Sequence, residues 1–196
     1  MITNALKNSK DIILIGASTG GPNAIEKIIT EFDKELNAAV LIVQHMPSGF
    51  TKTFAERLNR RCELEVLEAE DKIKIEKNKI YIAPGGYHMI VKEKDIIEIN
   101  KEDPIWGVRP AVDKLFISAA PIYNNRILSV ILTGMGKDGA EGTAVVKKNN
   151  GTTIAQDENS SVIYGMPKSA YETGCVDYVL PLKDIASKIK SLIKAS

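Results

Sequence analysis

A serine, a histidine and an aspartate, which hydrolytic chemistry uses together, each stand just beyond a strand-like apolar run in this chain. Ser18 lies in Gly16-Ala17-Ser18-Thr19-Gly20-Gly21-Pro22, after the run Ile12 to Ile15 and before an amphipathic helical pattern. A buried parallel strand that ends in a glycine-flanked serine and turns at once into a helix lifts the hydroxyl above the sheet edge. It stands there beside the unpaired N–H groups of the first helical turn. That placement suits a nucleophile in acyl chemistry, although the same string also fits an ordinary turn or a phosphate cradle at a helix N-terminus. His45 follows the run Ala39 to Gln44, and Asp138 lies in the loop Thr133-Gly134-Met135-Gly136-Lys137-Asp138-Gly139. In open parallel sheets, reacting groups gather outside the carboxyl ends of the strands. Three strands therefore bring Ser18, His45 and Asp138 to one edge, where the histidine would take the serine proton and the aspartate would hold the imidazole tautomer. Plainer readings exist: a polar loop histidine, and an aspartate that forms a turn before glycine. His88 sits two residues past Gly86 in a hairpin-like segment, away from those strand ends, while Asp11, Asp33 and Asp113 have helix, strand-start or capping explanations.

The elements that must position these residues are legible in the hydrophobic pattern. Strand-like runs occupy 11–15, 39–44, 64–69, 79–83, 127–133, 152–156 and 176–180. Between them, Ala24, Ile25, Ile28, Ile29 and Phe32 form a helical stripe, as do Phe50, Phe54 and Leu58. Pro110 opens another helix with Val112, Leu115, Phe116 and Ala119, and Ile185, Ile189, Leu192 and Ile193 mark a last one. Continuous apolar strands alternating with helices predict an α/β fold, doubly wound around a mostly parallel sheet with helices on both faces. From Leu64 to Asn100 strand follows strand, with Pro84-Gly85-Gly86 and Lys92-Glu93-Lys94-Asp95 as turns. This stretch is expected to hold an antiparallel β-hairpin insertion.

Composition narrows the function classes. The 196 residues are 44% hydrophobic and 26% charged with a net charge of +1, which gives no electrostatic case for nucleic acid or a membrane surface. The longest apolar stretches fall far short of the roughly 20 residues that span a bilayer. A cytoplasmic protein with no membrane insertion is expected. Cys62 and Cys175 are far apart and lie in no metal-ligand spacing, so reduced thiols are expected, with no metal site and no organic cofactor. Residues 1–10 read as an N-terminal tail and 11–196 as one domain.

Several motifs, in order along the chain, carry a family resemblance. They are Gly16-Ala17-Ser18-Thr19-Gly20-Gly21, Gln44-His45-Met46-Pro47 with Gly49-Phe50-Thr51, Tyr81-Ile82-Ala83-Pro84-Gly85, Arg109-Pro110-Ala111-Val112-Asp113 and Leu132 to Gly139, extended by Ile154-Ala155-Gln156 and Gly165-Met166-Pro167. From about Asp11 to Leu182 the chain resembles the catalytic domain of the chemotaxis protein-glutamate methylesterases, the CheB family. The resemblance implies hydrolysis of glutamyl methyl esters on the cytoplasmic helices of methyl-accepting chemotaxis receptors, with release of methanol, and deamidation of receptor glutamines. It implies Ser18 as nucleophile, His45 as base and Asp138 as orienting acid. Thr19 and Met135 match the family's residues beside the nucleophile and in the glycine-rich loop, and backbone N–H groups near them are expected to hold the oxyanion, with both residues at the oxyanion or substrate-binding site.

Full-length members usually carry an N-terminal receiver domain. Here about ten residues precede the first strand, so a catalytic domain without a receiver is expected and phosphorylation control is not implied. The order Ser, His, Asp differs from the Ser, Asp/Glu, His of α/β-hydrolases. Arg57, Arg60 and Arg61, on the helix after His45, would either steer acidic receptor helices or form a solvated face. The rival classes are a nucleotide- or phosphate-binding module, a catalytically silent binding domain and a small-ester hydrolase. The first is disfavoured because no lysine follows the glycines and no ribose-binding acid ends the second strand.

Overall fold

A computed structural model of the chain describes residues 11–93 and 95–194. The segment read above as a tail lies outside the described residues. The elements run β1 (Ile12–Ala17), α1 (Gly21–Ile29), β2 (Ala39–Gln44), α2 (Phe50–Asn59), β3 (Glu65–Glu68), β4 (Lys79–Ile82), β5 (His88–Glu93), β6 (Ile96–Asn100), α3 (Val112–Tyr123), β7 (Ile127–Ile131), α4 (Ala140–Lys148), β8 (Thr152–Gln156), α5 (Met166–Glu172), β9 (Tyr178–Leu180) and α6 (Leu182–Lys194). Seven strands form one parallel sheet in the order β3-β4-β2-β1-β7-β8-β9, and β5 and β6 form a separate antiparallel pair.

β1 is buried throughout because both sheet faces are covered. Ile13, Ile15 and Ala17 enter one core, shared with α1, α2 and α6, while Ile12 and Leu14 enter a second, shared with α3, α4, α5 and the hairpin. Fully burying such an isoleucine or leucine is worth about 1.5–3 kcal/mol, so β1 anchors both cores. All seven strand-like runs lie in the sheet. After β1 the chain winds outward through β2, and after α3 it returns to β7 on the other side of β1. The carboxyl end of β1 is therefore the topological switch point, where a crevice opens.

The stretch 64–100 is more varied than a single insertion. Only β5 and β6 are antiparallel; β3 and β4 pair in parallel without an intervening helix. Their connection, residues 69–78, lies against β6 instead, with Lys72 N–H donating to Ile97 O at 2.9 Å and Ile75 N–H to Asp95 O at 2.7 Å. The hairpin supplies the cover that a crossover helix gives elsewhere. Helices α4 and α5 were not among the stripes read from the pattern. α4 buries only Gly142, Thr143 and Val146, and α5 is seven residues long, so neither carries a wide apolar stripe.

Candidate active site

β1 and β2 stay in register as far as Ala17 and Gln44, and His45 N–H closes the ladder on Ala17 O at 3.0 Å. Ser18 then turns away and donates its own N–H to Thr133 O, at the end of β7, at 3.0 Å. One buried side chain bridges the opening. The Gln44 amide, 2% exposed, donates through Nε2 to both Ser18 O and His45 O at 3.0 Å. It adds a side-chain rung where the backbone ladder stops, and its Oε1 is buried without a partner. On the other flank, Thr133 Oγ1 donates to Thr19 O at 2.9 Å. The β7 loop can run this close only because residue 134 is glycine. A Cβ there would meet Met166 Sδ at 2.4 Å and Ser18 Cβ at 2.8 Å.

His45 and Asp138 meet. Nε2 of His45 lies 2.7 Å from Oδ2 of Asp138, with both side chains largely shielded from solvent. The same carboxylate accepts Val112 N–H at 2.6 Å and Asp113 N–H at 2.9 Å from the first turn of α3. A carboxylate only accepts, so the imidazole proton sits on Nε2 and the lone pair on Nδ1. Asp138 thus both caps a helix and fixes a tautomer. Ser18 Oγ makes no hydrogen bond among the described residues, an open arrangement that is common before substrate binds.

Thr19 and Met135 lie on the two loops that flank Ser18. Neither backbone N–H is used in a hydrogen bond among the described residues. The Gly134 carbonyl beside Met135 accepts Gly165 N–H at 3.1 Å and Met166 N–H at 2.8 Å, which anchors that loop. The Met135 side chain is 75% exposed, and Phe50 and Val162 are also exposed. A groove of about 290 Å³ runs beside His45, lined also by Met46, Pro47 and the segment Gly107 to Pro110.

The other sequence candidates are placed as follows. His88 is fully buried at the start of β5, where Nδ1 accepts Ala111 N–H and Nε2 donates to Asp103 O; burial lowers its pKa. Burial pushes the Cys62 thiol up to about 11, and both cysteines are free. Arg57 and Arg61 both pair with Glu26 on α1, so two of the three arginines join α1 to α2. Gln44, Thr133 and Asp113 were missed as positioning groups. The one signal for Gln44 was an amide ending an otherwise apolar strand.

Comparisons with known proteins bear on the family and the fold. The CheB methylesterase family model matches residues 13–189. The protein-glutamate methylesterase/protein-glutamine glutaminase of Clostridium acetobutylicum is 53% identical over 98% of this chain and 56% of its own length; that of Pyrococcus horikoshii is 48% identical over 93% of this chain and 50% of its own. The chain spans about half the length of these curated relatives. The crystal structure of the Thermotoga maritima CheB methylesterase catalytic domain superposes with a TM-score of 0.90 at 46% identity, covering 94% of this chain and 99% of that one. This protein belongs to the CheB methylesterase family.

Proposed function

We propose that the chain is the catalytic domain of a cytoplasmic enzyme that hydrolyses glutamate methyl esters on methyl-accepting chemotaxis receptors and deamidates receptor glutamines. The observation that carries the reading is the 2.7 Å contact of His45 with Asp138 at the sheet edge where Ser18 turns out of β1. Ser18 Oγ attacks the side-chain acyl carbon and gives its proton to Nδ1 of His45, whose Nε2–H stays on Asp138. The C–O bond to the methoxy group then breaks, and the imidazolium returns the proton so that methanol leaves. Water attacks the acyl-serine by the same route in reverse, releasing glutamate. With a glutamine, ammonia replaces methanol. The unused N–H groups of Thr19 and Met135 serve as oxyanion donors. The exposed Met135, Val162 and Phe50 side chains offer an apolar rim on which a receptor helix docks.

Labelling with a fluorophosphonate, together with methanol release from methylated receptor, tests this assignment. The label is expected on Ser18 and nowhere in Ser18→Ala, whose methanol release is lost. A Ser18→Ala protein that kept half its turnover would overturn the reading. Turnover on simple esters that exceeded turnover on methylated receptor would favour the small-ester alternative. No helix among the described residues is long and apolar enough to cross a membrane.

A further inference from the structure

Helices α3 and α4 have no caps of their own. Their N-cap residues, Ala111 and Gly139, make no side-chain cap. Each is capped by an acid from the other. Asp138, just before α4, accepts the first-turn N–H groups of α3, and Asp113, in the first turn of α3, accepts Gly139 N–H at 2.9 Å and Gly142 N–H at 2.7 Å through Oδ1. Asp113 is 1% exposed and makes no hydrogen bond to His45 among the described residues. Its second oxygen points elsewhere: Oδ2 accepts the indole N–H of Trp106 at 3.0 Å.

Trp106 is half exposed, at the tip of a tight turn closed by mutual backbone bonds between Ile105 and Val108. Lys137 Nζ lies 3.8 Å over its ring. The residues that follow, Gly107 to Pro110, form the wall of the groove facing His45. One indole thus ties the Trp106 end of the wall to Asp113, the acid behind the proposed catalytic aspartate, while Arg109 anchors the other end: its carbonyl accepts Gly86 N–H at 3.1 Å and its guanidinium donates to Lys101 O at 3.2 Å and Glu102 O at 3.0 Å. Resting on the esterase reading of the site, we propose that Asp113 is a positioning residue that latches this wall. When ionised it holds Trp106 down and keeps the Gly107–Val108 end of the groove formed, and when neutral it releases that end.

The reason is the donor inventory of the two oxygens. Two backbone N–H groups occupy Oδ1, so a proton taken up by Asp113 sits on Oδ2, where it meets the indole N–H donor to donor. Burial and the neighbouring Asp138 charge push the Asp113 carboxyl up to about 6, which places that event near neutral pH. Of the charged groups on the neighbouring elements, Asp138 acts on it directly; Lys137 lies over the Trp106 ring, His45 pairs with Asp138, His88 accepts Ala111 N–H, and Lys114 is paired with Glu102. Asp113→Asn copies the neutral state: its oxygen still caps α4, while its NH₂ faces the indole.

Trp106 is the only tryptophan in the sequence, so emission reads the latch directly. In the whole chain, lowering the pH from about 8 to 5 is expected to red-shift the emission in one step, as the indole N–H passes from carboxylate to water. Asp113→Asn should show the shifted emission at every pH. With methylated receptor at high pH, Asp113→Asn and Trp106→Phe should each raise KM about tenfold with kcat within about threefold, and the double variant should add nothing. An emission step that persists in Asp113→Asn, or a kcat loss at unchanged KM, would overturn the latch. If Asp113→Asn fails to fold, Trp106→Phe carries the kinetic arm, and the wild-type emission step must still appear. Emission needs no catalysis, whereas Ser18 labelling tests the esterase reading. An unlabelled Ser18 with an intact emission step would sink the esterase and leave the latch standing.

Discussion

The two ends of the sheet look alike in inventory and differ in how their polar groups are used. Below the amino ends of the strands, Asp11, Lys77, Asp95, Tyr123 and Arg126 surround a cavity of about 230 Å³, close to the 290 Å³ of the groove at His45. There the charges are matched to one another. Asp11 pairs with Arg126 and with Lys77, and Tyr123 donates to Asp95 at 2.9 Å. At the carboxyl edge the two buried acids are matched to backbone N–H groups, an imidazole and an indole, and among the described residues to no Lys or Arg. Among the described residues the Thr19 and Met135 N–H groups, the Ser18 hydroxyl and one imidazole nitrogen make no hydrogen bond. Cavity size therefore does not mark the proposed site. Polar groups held in place but unused do.

The contrast makes graded predictions. Ser18→Ala and His45→Ala should each cost on the order of a million-fold in methanol release. Asp138→Asn should cost about ten-thousand-fold, since it unsettles the tautomer while leaving serine and imidazole in place. Gln44→Leu removes both 3.0 Å rungs without touching the reacting groups. A kcat loss of roughly ten- to a hundred-fold at steady KM is expected, with Ser18 labelling slowed in proportion. A wild-type labelling rate in that variant would show that the bridge does not position the serine. At the other end, Arg126→Ala should leave kcat within about twofold and cost roughly 1 kcal/mol or less in urea unfolding. A large activity loss there would break the comparison.

The two ends also part in pH dependence. At the carboxyl edge the pH signal in stability comes from Asp113. Its folded value of about 6 lies above the ordinary 3.8, so the native state holds the proton more tightly than the unfolded chain. Its contribution to stability is fully present below the unfolded value and is lost as pH rises through about 6. Relative to Asp113→Asn, the wild type should gain in urea midpoint as pH is lowered from about 7 to 5. At the amino end, burial pushes the Tyr123 hydroxyl up, away from neutrality, so Tyr123→Phe should leave that slope unchanged.

The sequence by itself determined the seven sheet strands, the sheet class and the identity of the edge at which Ser18, His45 and Asp138 gather. Each of these follows from local patterns: apolar runs of strand length, glycine after the run, and a helix stripe behind it. The tertiary structure alone decided what holds that edge together. The Gln44 bridge depends on β1 and β2 lying side by side, and the exchange of caps between Asp113 and Asp138, 25 residues apart in sequence, depends on two helix N-termini converging. The sequence read Asp113 as a capping residue but could not say of which helix. Hydrophobic periodicity reports which face of an element is buried; it carries nothing about which distant donor a buried polar side chain will meet.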